Sequence, residues 1–118
     1  MDTATHERWL ADTRRFWDAD TEFVARYRRI CSSAAFDAAQ DEAELLRLWN
    51  EETEKALALI LEGIPLQAAW DCLEIGCGIG RLIKALAPRC RSVTGVDLSE
   101  RMAAWSREYL ADAPNAQV

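Results

Sequence analysis

Residues 72–82 read CLEIGCGIGRL, with glycines at 76, 78 and 80 set between a short apolar run and the opening of a helical pattern. Glycine lets a chain turn sharply and bring backbone N–H groups against a ligand, and a helix starting near Gly80 would present its positive end to a carboxylate or phosphate. One or two glycines make a tight turn. Three at alternate positions, flanked by strand and helix signals, read as a ligand loop. The spacing argues against a pyrophosphate: a dinucleotide loop needs its third glycine where Arg81 stands, and the G-x-x-x-x-G-K-[ST] of a triphosphate loop is absent.

Two acids accompany the loop. Asp97 closes the run SVTGVD, and a carboxylate at the end of a strand can accept both hydroxyls of a ribose. The competing reading is an Asx turn supporting the next helix; Ser99 is better placed for that cap, which favours the ribose role. Glu74 lies within the apolar run before the loop. An acid there is costly to bury unless hydrogen-bonded, so it either holds the loop's N–H groups or meets a ligand ammonium.

The elements that must position these groups alternate from about residue 70. DCLEI is a short apolar strand. RLIKALA continues as a helix with Ile79, Leu82, Ile83 and Leu86 on one face, stopped by Pro88, and SVTGVD alternates like a second strand. In SERMAAWSREYLADA, Met102, Trp105, Ser106, Tyr109 and Leu110 fall at helical spacing, with Ser99 as cap and Glu100 in the positive first turn. PNAQV reads as the opening of a third strand. A β-α-β-α order builds a parallel sheet, and such sheets bind ligands at the carboxyl ends of their strands. The glycine loop and Asp97 therefore belong on one edge.

Residues 5–62 are helical in pattern. The pairs Trp9/Leu10, Phe16/Trp17, Phe23/Val24 and Ile30/Cys31 form one stripe. Leu45, Leu48, Trp49, Ala56, Leu59 and Ile60 form a second, and EGIP at 62–65 supplies a glycine stop with proline beyond. Residues 32–42, SSAAFDAAQDE, read as a weak linker with room for a short turn.

The 118 residues are 50% hydrophobic and 29% charged, the composition of one soluble globular unit. No apolar run approaches the ~18 residues of a membrane span, and the polar amino terminus does not resemble a secretory signal. A cytoplasmic location without membrane partners is expected. A net charge of -6 repels phosphates at long range, so no nucleic-acid partner is expected, and RYRR at 26–29 reads as a solvated helix face. Cys31, Cys72, Cys77 and Cys90 form no C-x-x-C pair, and His6 is the single histidine. No metal site is expected. All four cysteines read as reduced thiols, Cys72 as strand core and Cys77 as a small loop residue whose backbone matters more than its sulfur.

CLEIGCGIGRL followed by VTGVDLSERM resembles motif I and the second-strand acidic motif of the class I S-adenosylmethionine-dependent methyltransferases, whose loop reads [DE]-x-G-x-G-x-G. The resemblance covers about residues 70–118 and is specific as a pair. It implies an α/β fold with a Rossmann-like parallel sheet, preceded by an amino-terminal helical region. It also implies S-adenosyl-L-methionine as cofactor. Glu74, Gly76, Cys77, Gly78 and Gly80 would cradle its methionine part, so that a Cβ at the glycines would crowd it; Asp97 would hold the ribose, and Leu98 and Met102 would border the adenine. Residues 1–65 would form a lid and 66–118 the first half of the cofactor-binding domain. Phe16 or Trp17 would then stand over the pocket, although the stripe itself reads as core.

The family's sheet has seven strands, and this sequence supplies two and the start of a third. The chain is therefore expected to be an amino-terminal fragment or the product of a truncated reading frame. Its first strand would keep an unpaired edge open to self-association. It would also be catalytically incomplete by itself. Substrate-facing loops of the family follow later strands, so no catalytic residue is assigned and the methyl acceptor, small molecule or protein, stays open. The alternatives are a dinucleotide-binding oxidoreductase, which Arg81 and the preceding helices disfavour, and a non-catalytic interaction module with a relic glycine loop.

Overall fold

The structure is a computed structural model that describes residues 2–19 and 34–118. Asp2 opens the first helix, α1 (Thr3–Asp18), by accepting the Thr5 amide at 2.8 Å. After α2 (Ala34–Ala38), Asp41 caps α3 (Glu42–Ile60) through the Glu44 amide at 2.8 Å, and the Glu44 carboxylate reaches back to the Gln40 amide at 2.8 Å. These side chains satisfy amides that the first helical turn leaves without partners.

The buried face of α3 is Leu45, Trp49, Thr53 and Leu57, at a constant step of four. Thr53 is tolerated there because its hydroxyl donates to the Trp49 carbonyl at 2.7 Å. The expected stripe is corrected at its end: Leu59 and Ile60 are exposed, since the face set by Leu45 and Trp49 has rotated to Leu57 by that turn. On α1 no residue is fully buried, and Trp9 and Phe16 are exposed while Trp17 packs inward. Phe23, Val24, Ile30, Cys31 and the basic run at 26–29 lie outside the described residues.

The second half follows the expected order. Strand β1 (Asp71–Ile75) leads through the glycine turn into α4 (Arg81–Leu86), and a 3₁₀ turn (Ala87–Arg89) carrying Pro88 ends that helix. Strand β2 (Ser92–Val96), α5 (Glu100–Tyr109) and the short β3 (Ala116–Gln117) complete the chain. The sheet is parallel throughout, ordered β1-β2-β3, with Glu74 beside Gly95 and Ile75 beside Val96. Ile79 precedes α4 instead of lying on it, because the left-handed Gly80 is the residue from which the helix starts.

Two apolar clusters hold the layers. Leu45, Trp49, Ile79 and Met102 join α3 to the glycine turn and α5, while Cys77, Ile83, Ala87, Cys90, Val93 and Leu110 fill the space between the helices and the sheet. Gly95 makes the second cluster possible: a Cβ there would come within 2.2 Å of Ile83 and 2.8 Å of the Cys77 sulfur. An isolated glycine inside a strand marks such close approach. The opposite sheet face, with Leu73, Ile75 and Val96, is exposed among the described residues.

Candidate functional site

The sequence places the glycine turn and Asp97 at one edge, and the folded chain makes them a single bonded unit. The amides of Gly76 and Cys77 donate to the Val96 carbonyl at 2.8 and 3.1 Å, tying the turn to the end of the neighbouring strand. The Gly78 amide donates to Asp97 Oδ2 at 2.7 Å, and the Gly80 amide closes the turn on the Cys77 carbonyl at 3.0 Å. The other Asp97 oxygen, Oδ1, accepts the Ser99 amide at 2.8 Å. The Asx turn and the site-facing carboxylate are thus the same residue in one conformation. Ser99 caps α5 as expected, accepting the Met102 amide at 3.1 Å.

Above this unit lies a cavity of about 450 Å³. Glu74, Gly76, Cys77, Gly78, Asp97, Leu98 and Met102 all line it. Gly80 does not. Its role differs from the expected one: a Cβ at Gly80 would come within 2.5 Å of the Ser106 hydroxyl and 3.0 Å of Leu110, so the missing side chain there serves helix packing. At Gly76, which also has positive φ, a Cβ would meet nothing within 4 Å.

Glu74 takes none of the four loop amides, which are satisfied by Val96, Asp97 and Cys77. Its Oε2 is buried without a hydrogen-bond partner. Burial pushes the Glu74 carboxyl up to about 7, with the Arg81 charge acting to lower it and Asp97 to raise it further. The Cys77 side chain is 5% exposed, and burial together with the charges of Asp97 and Glu74 pushes its thiol up to about 11, which makes it an unreactive packing group. Its backbone and its sulfur both matter.

Thr13 of α1, Ile79 within the turn, and Arg81 and Leu82 after it also line the cavity, and no sequence signal placed them there. Of Phe16 and Trp17, either of which the resemblance would set over the pocket, it is Trp17 that lines the cavity, while Phe16 sits edge-on to it at 5.0 Å, 57% exposed. The Arg81 guanidinium stands 5.4 Å over the Trp49 ring.

A parallel sheet with a glycine turn and an acid meeting over one cavity at its carboxyl edge is a Rossmann-like arrangement. Within it, residues 72–118 match the family described as "Methyltransferase domain". Over that segment the chain is similar to methyltransferases. The chain is 39% identical over 70 residues to the trans-aconitate 2-methyltransferase of Delftia acidovorans, covering 58% of this chain and 26% of that protein. It is also 39% identical over 64 residues to the rRNA adenine N-6-methyltransferase of Saccharopolyspora erythraea, covering 54% of this chain and 17% of that one. The chain thus spans about a quarter or less of the length of these curated relatives. Among solved structures, phosphoethanolamine N-methyltransferase 1 of Haemonchus contortus, in complex with phosphoethanolamine and S-adenosylhomocysteine, aligns with 99% of this chain and 22% of its own, with a TM-score of 0.57 at 22% identity. That likeness concerns the fold.

Proposed function

We propose that this chain forms the cofactor-binding part of an S-adenosylmethionine-dependent methyltransferase, with the site built from Glu74, Gly76, Cys77, Gly78, Asp97, Leu98 and Met102 and braced from behind by Gly80. The observation that carries the reading is the pairing of two carboxylates across one cavity, one of them with a buried, unpartnered oxygen. A buried acceptor of that kind lacks a donor, and the ammonium of a methionine moiety is a donor of fitting charge. Asp97 suits a ribose. A carboxylate offers about four acceptor positions, and the two backbone amides leave room on each oxygen for one hydroxyl.

Each residue then has a definite task. Glu74 holds the ammonium, Gly76 and Gly78 let the backbone lie against the methionine part, and Gly80 supports the turn from behind. Leu98 and Met102 give the adenine apolar walls. Bound there, the cofactor supplies an activated methyl group on a sulfonium. The protein's contribution is alignment and exclusion of water, and the described residues are given no role in taking a proton from the acceptor. Residues 1–65 act as a lid region and 66–118 as the first half of the cofactor-binding domain.

The acceptor is proposed to be a small molecule or a protein. The net charge of -6 supports that choice over RNA. The relative named for rRNA is similar over 64 residues, 17% of its own length, which bears little on the acceptor. Strand β1 ends the described sheet order and its side chains Leu73 and Ile75 are exposed on one face, which supports pairing with further strands or with a second copy. Among the described residues no helix is long and apolar enough to cross a membrane, and a cytoplasmic setting is proposed.

Isothermal titration with S-adenosylhomocysteine and, separately, with NAD tests the reading. Binding of the first that is abolished by Asp97→Ala, with no heat from the second, is expected. Heat from NAD alone would redirect the assignment to an oxidoreductase, and silence from both would favour a module whose loop binds nothing.

A further inference from the structure

The helix α1 is held in place in an unusual way. None of its residues is fully buried, and among the described residues its apolar attachment to a core cluster is through Trp17 against Leu45, Trp49, Ile79 and Met102. Yet Thr13 and Trp17 of this helix form part of the cavity wall. Polar contacts also seat it.

They lie at its carboxyl end. Asp18 Oδ1 accepts from the Ser99 hydroxyl and from the Arg101 amide at 3.3 Å, which places a carboxylate on the positive first turn of α5. One turn earlier, Arg14 Nε donates to the Leu98 carbonyl at 3.3 Å. For α1 itself an acid in the last turn is unfavourable, because it faces the negative end of its own helix. The placement is therefore locally costly and gains its stabilisation only across the gap, from α5.

We propose that Asp18 is the positioning residue that latches α1 onto the start of α5 and thereby slows escape of a ligand from the cavity beneath. The ligand in question is the adenosyl cofactor of the preceding section, and that half of the inference rests on that reading. Ser99 is the shared joint. Its hydroxyl donates to Asp18 and caps α5 through Met102, while its amide donates to Asp97. The latch and the proposed ribose acid therefore meet on one residue.

The test compares Asp18→Ala with Asp12→Ala in the full chain. Asp12 is a control on the same helix, 61% exposed in its side chain and, among the described residues, paired with Arg15 at 3.6 Å. Alanine is the best helix former and removes the unfavourable charge at the end of α1, so the substitution raises the helix's own propensity. Amide hydrogen exchange of the ligand-free protein reads the seat, and stopped-flow release of S-adenosylhomocysteine, followed by tryptophan fluorescence, reads retention. In Asp18→Ala, protection of α1 should fall while α3 and α5 keep theirs, and release should quicken by about tenfold, the scale of one charge-assisted contact. Asp12→Ala should change neither. Unchanged or increased α1 protection in Asp18→Ala overturns the latch. Lost protection with unaltered release overturns the retention role. Absence of S-adenosylhomocysteine binding in the unsubstituted protein sinks the cofactor reading together with retention, and the exchange measurement still decides the seat.

Discussion

Asp97 and Gly78 are joined by a 2.7 Å hydrogen bond in which the backbone amide donates to the carboxylate, so the acid closing β2 fixes the turn that follows β1. The same carboxylate takes the Ser99 amide at 2.8 Å and so fixes the start of α5. One side chain thereby orients both walls of the cavity before a ligand enters, and ordering costs that binding would otherwise carry are met during folding.

Removing that side chain should therefore do two things at once. Asp97→Ala is expected to abolish detectable S-adenosylhomocysteine binding and to raise exchange of the Gly78 and Ser99 amides. Asp97→Asn keeps the shape and one acceptor oxygen, and is expected to bind at least tenfold more weakly while retaining one of the two amide bonds. Titration calorimetry and amide exchange on the two variants check this; equal binding by all three proteins would remove Asp97 from the site.

The two glycines of positive φ at the ends of the turn separate folding from binding. Gly80→Ala forces a Cβ to within 2.5 Å of the Ser106 hydroxyl and into a left-handed conformation, so a loss of about 3 kcal/mol is expected. Gly76→Ala meets no neighbour and should cost about 1 kcal/mol from conformation alone. Gly76 lines the cavity, so its variant should melt near the unsubstituted protein while binding S-adenosylhomocysteine poorly. Thermal denaturation and calorimetry on both variants distinguish the two roles. Similar melting losses for both would contradict the assignment.

Much of this arrangement was legible in the residues. DCLEI matched β1 residue for residue, Ser99 capped its helix, and the alternation of strand and helix fixed a parallel sheet. These features are local, each dictated by period, capping or turn chemistry within a few residues. What escaped was non-local. Asp18 meets Ser99 across most of the chain, and Arg81 meets Trp49 across two elements, and no periodicity encodes such pairs. Gly80 was read as ligand space because a glycine in a loop does not say which of its neighbours is close. Gly95 did carry a signal, as a lone glycine in an apolar strand, that close packing lay over it.

The join between α3 and the second half rests on Trp49. The residue is fully buried, its indole N–H donates to the Tyr109 hydroxyl at 3.1 Å, and Arg81 lies over its ring. Trp49→Phe removes the donor and part of the ring and should cost about 2 kcal/mol. Tyr109→Phe removes the acceptor alone, keeps the ring beneath the Lys84 ammonium at 4.4 Å, and should cost about 1 kcal/mol. Denaturant unfolding of the single and double variants would show losses well short of additive, since the two residues share one bond.

Glu74 makes the site sensitive to pH with a sign that follows from its burial. Its carboxyl is raised from 4.5 to about 7 in the folded, ligand-free chain, chiefly by desolvation. Between those values the folded state binds more protons than the unfolded state, so this group's contribution to stability declines as pH rises from about 4.5 to about 7. Above that window the charged form is held in a place that disfavours it. Glu74→Gln should consequently be more stable than the unsubstituted protein at pH 8 and no more stable at pH 4. A ligand ammonium reverses the preference, because it pairs with the carboxylate and not with the acid. S-adenosylhomocysteine affinity should then rise several-fold from pH 6 to pH 8 in the unsubstituted protein and stay flat in Glu74→Gln, at a lower level. Calorimetric titrations across that range, with melting curves beside them, carry the test. A pH-independent affinity in the unsubstituted protein would place the ammonium elsewhere and leave the buried oxygen of Glu74 without a ligand to explain it.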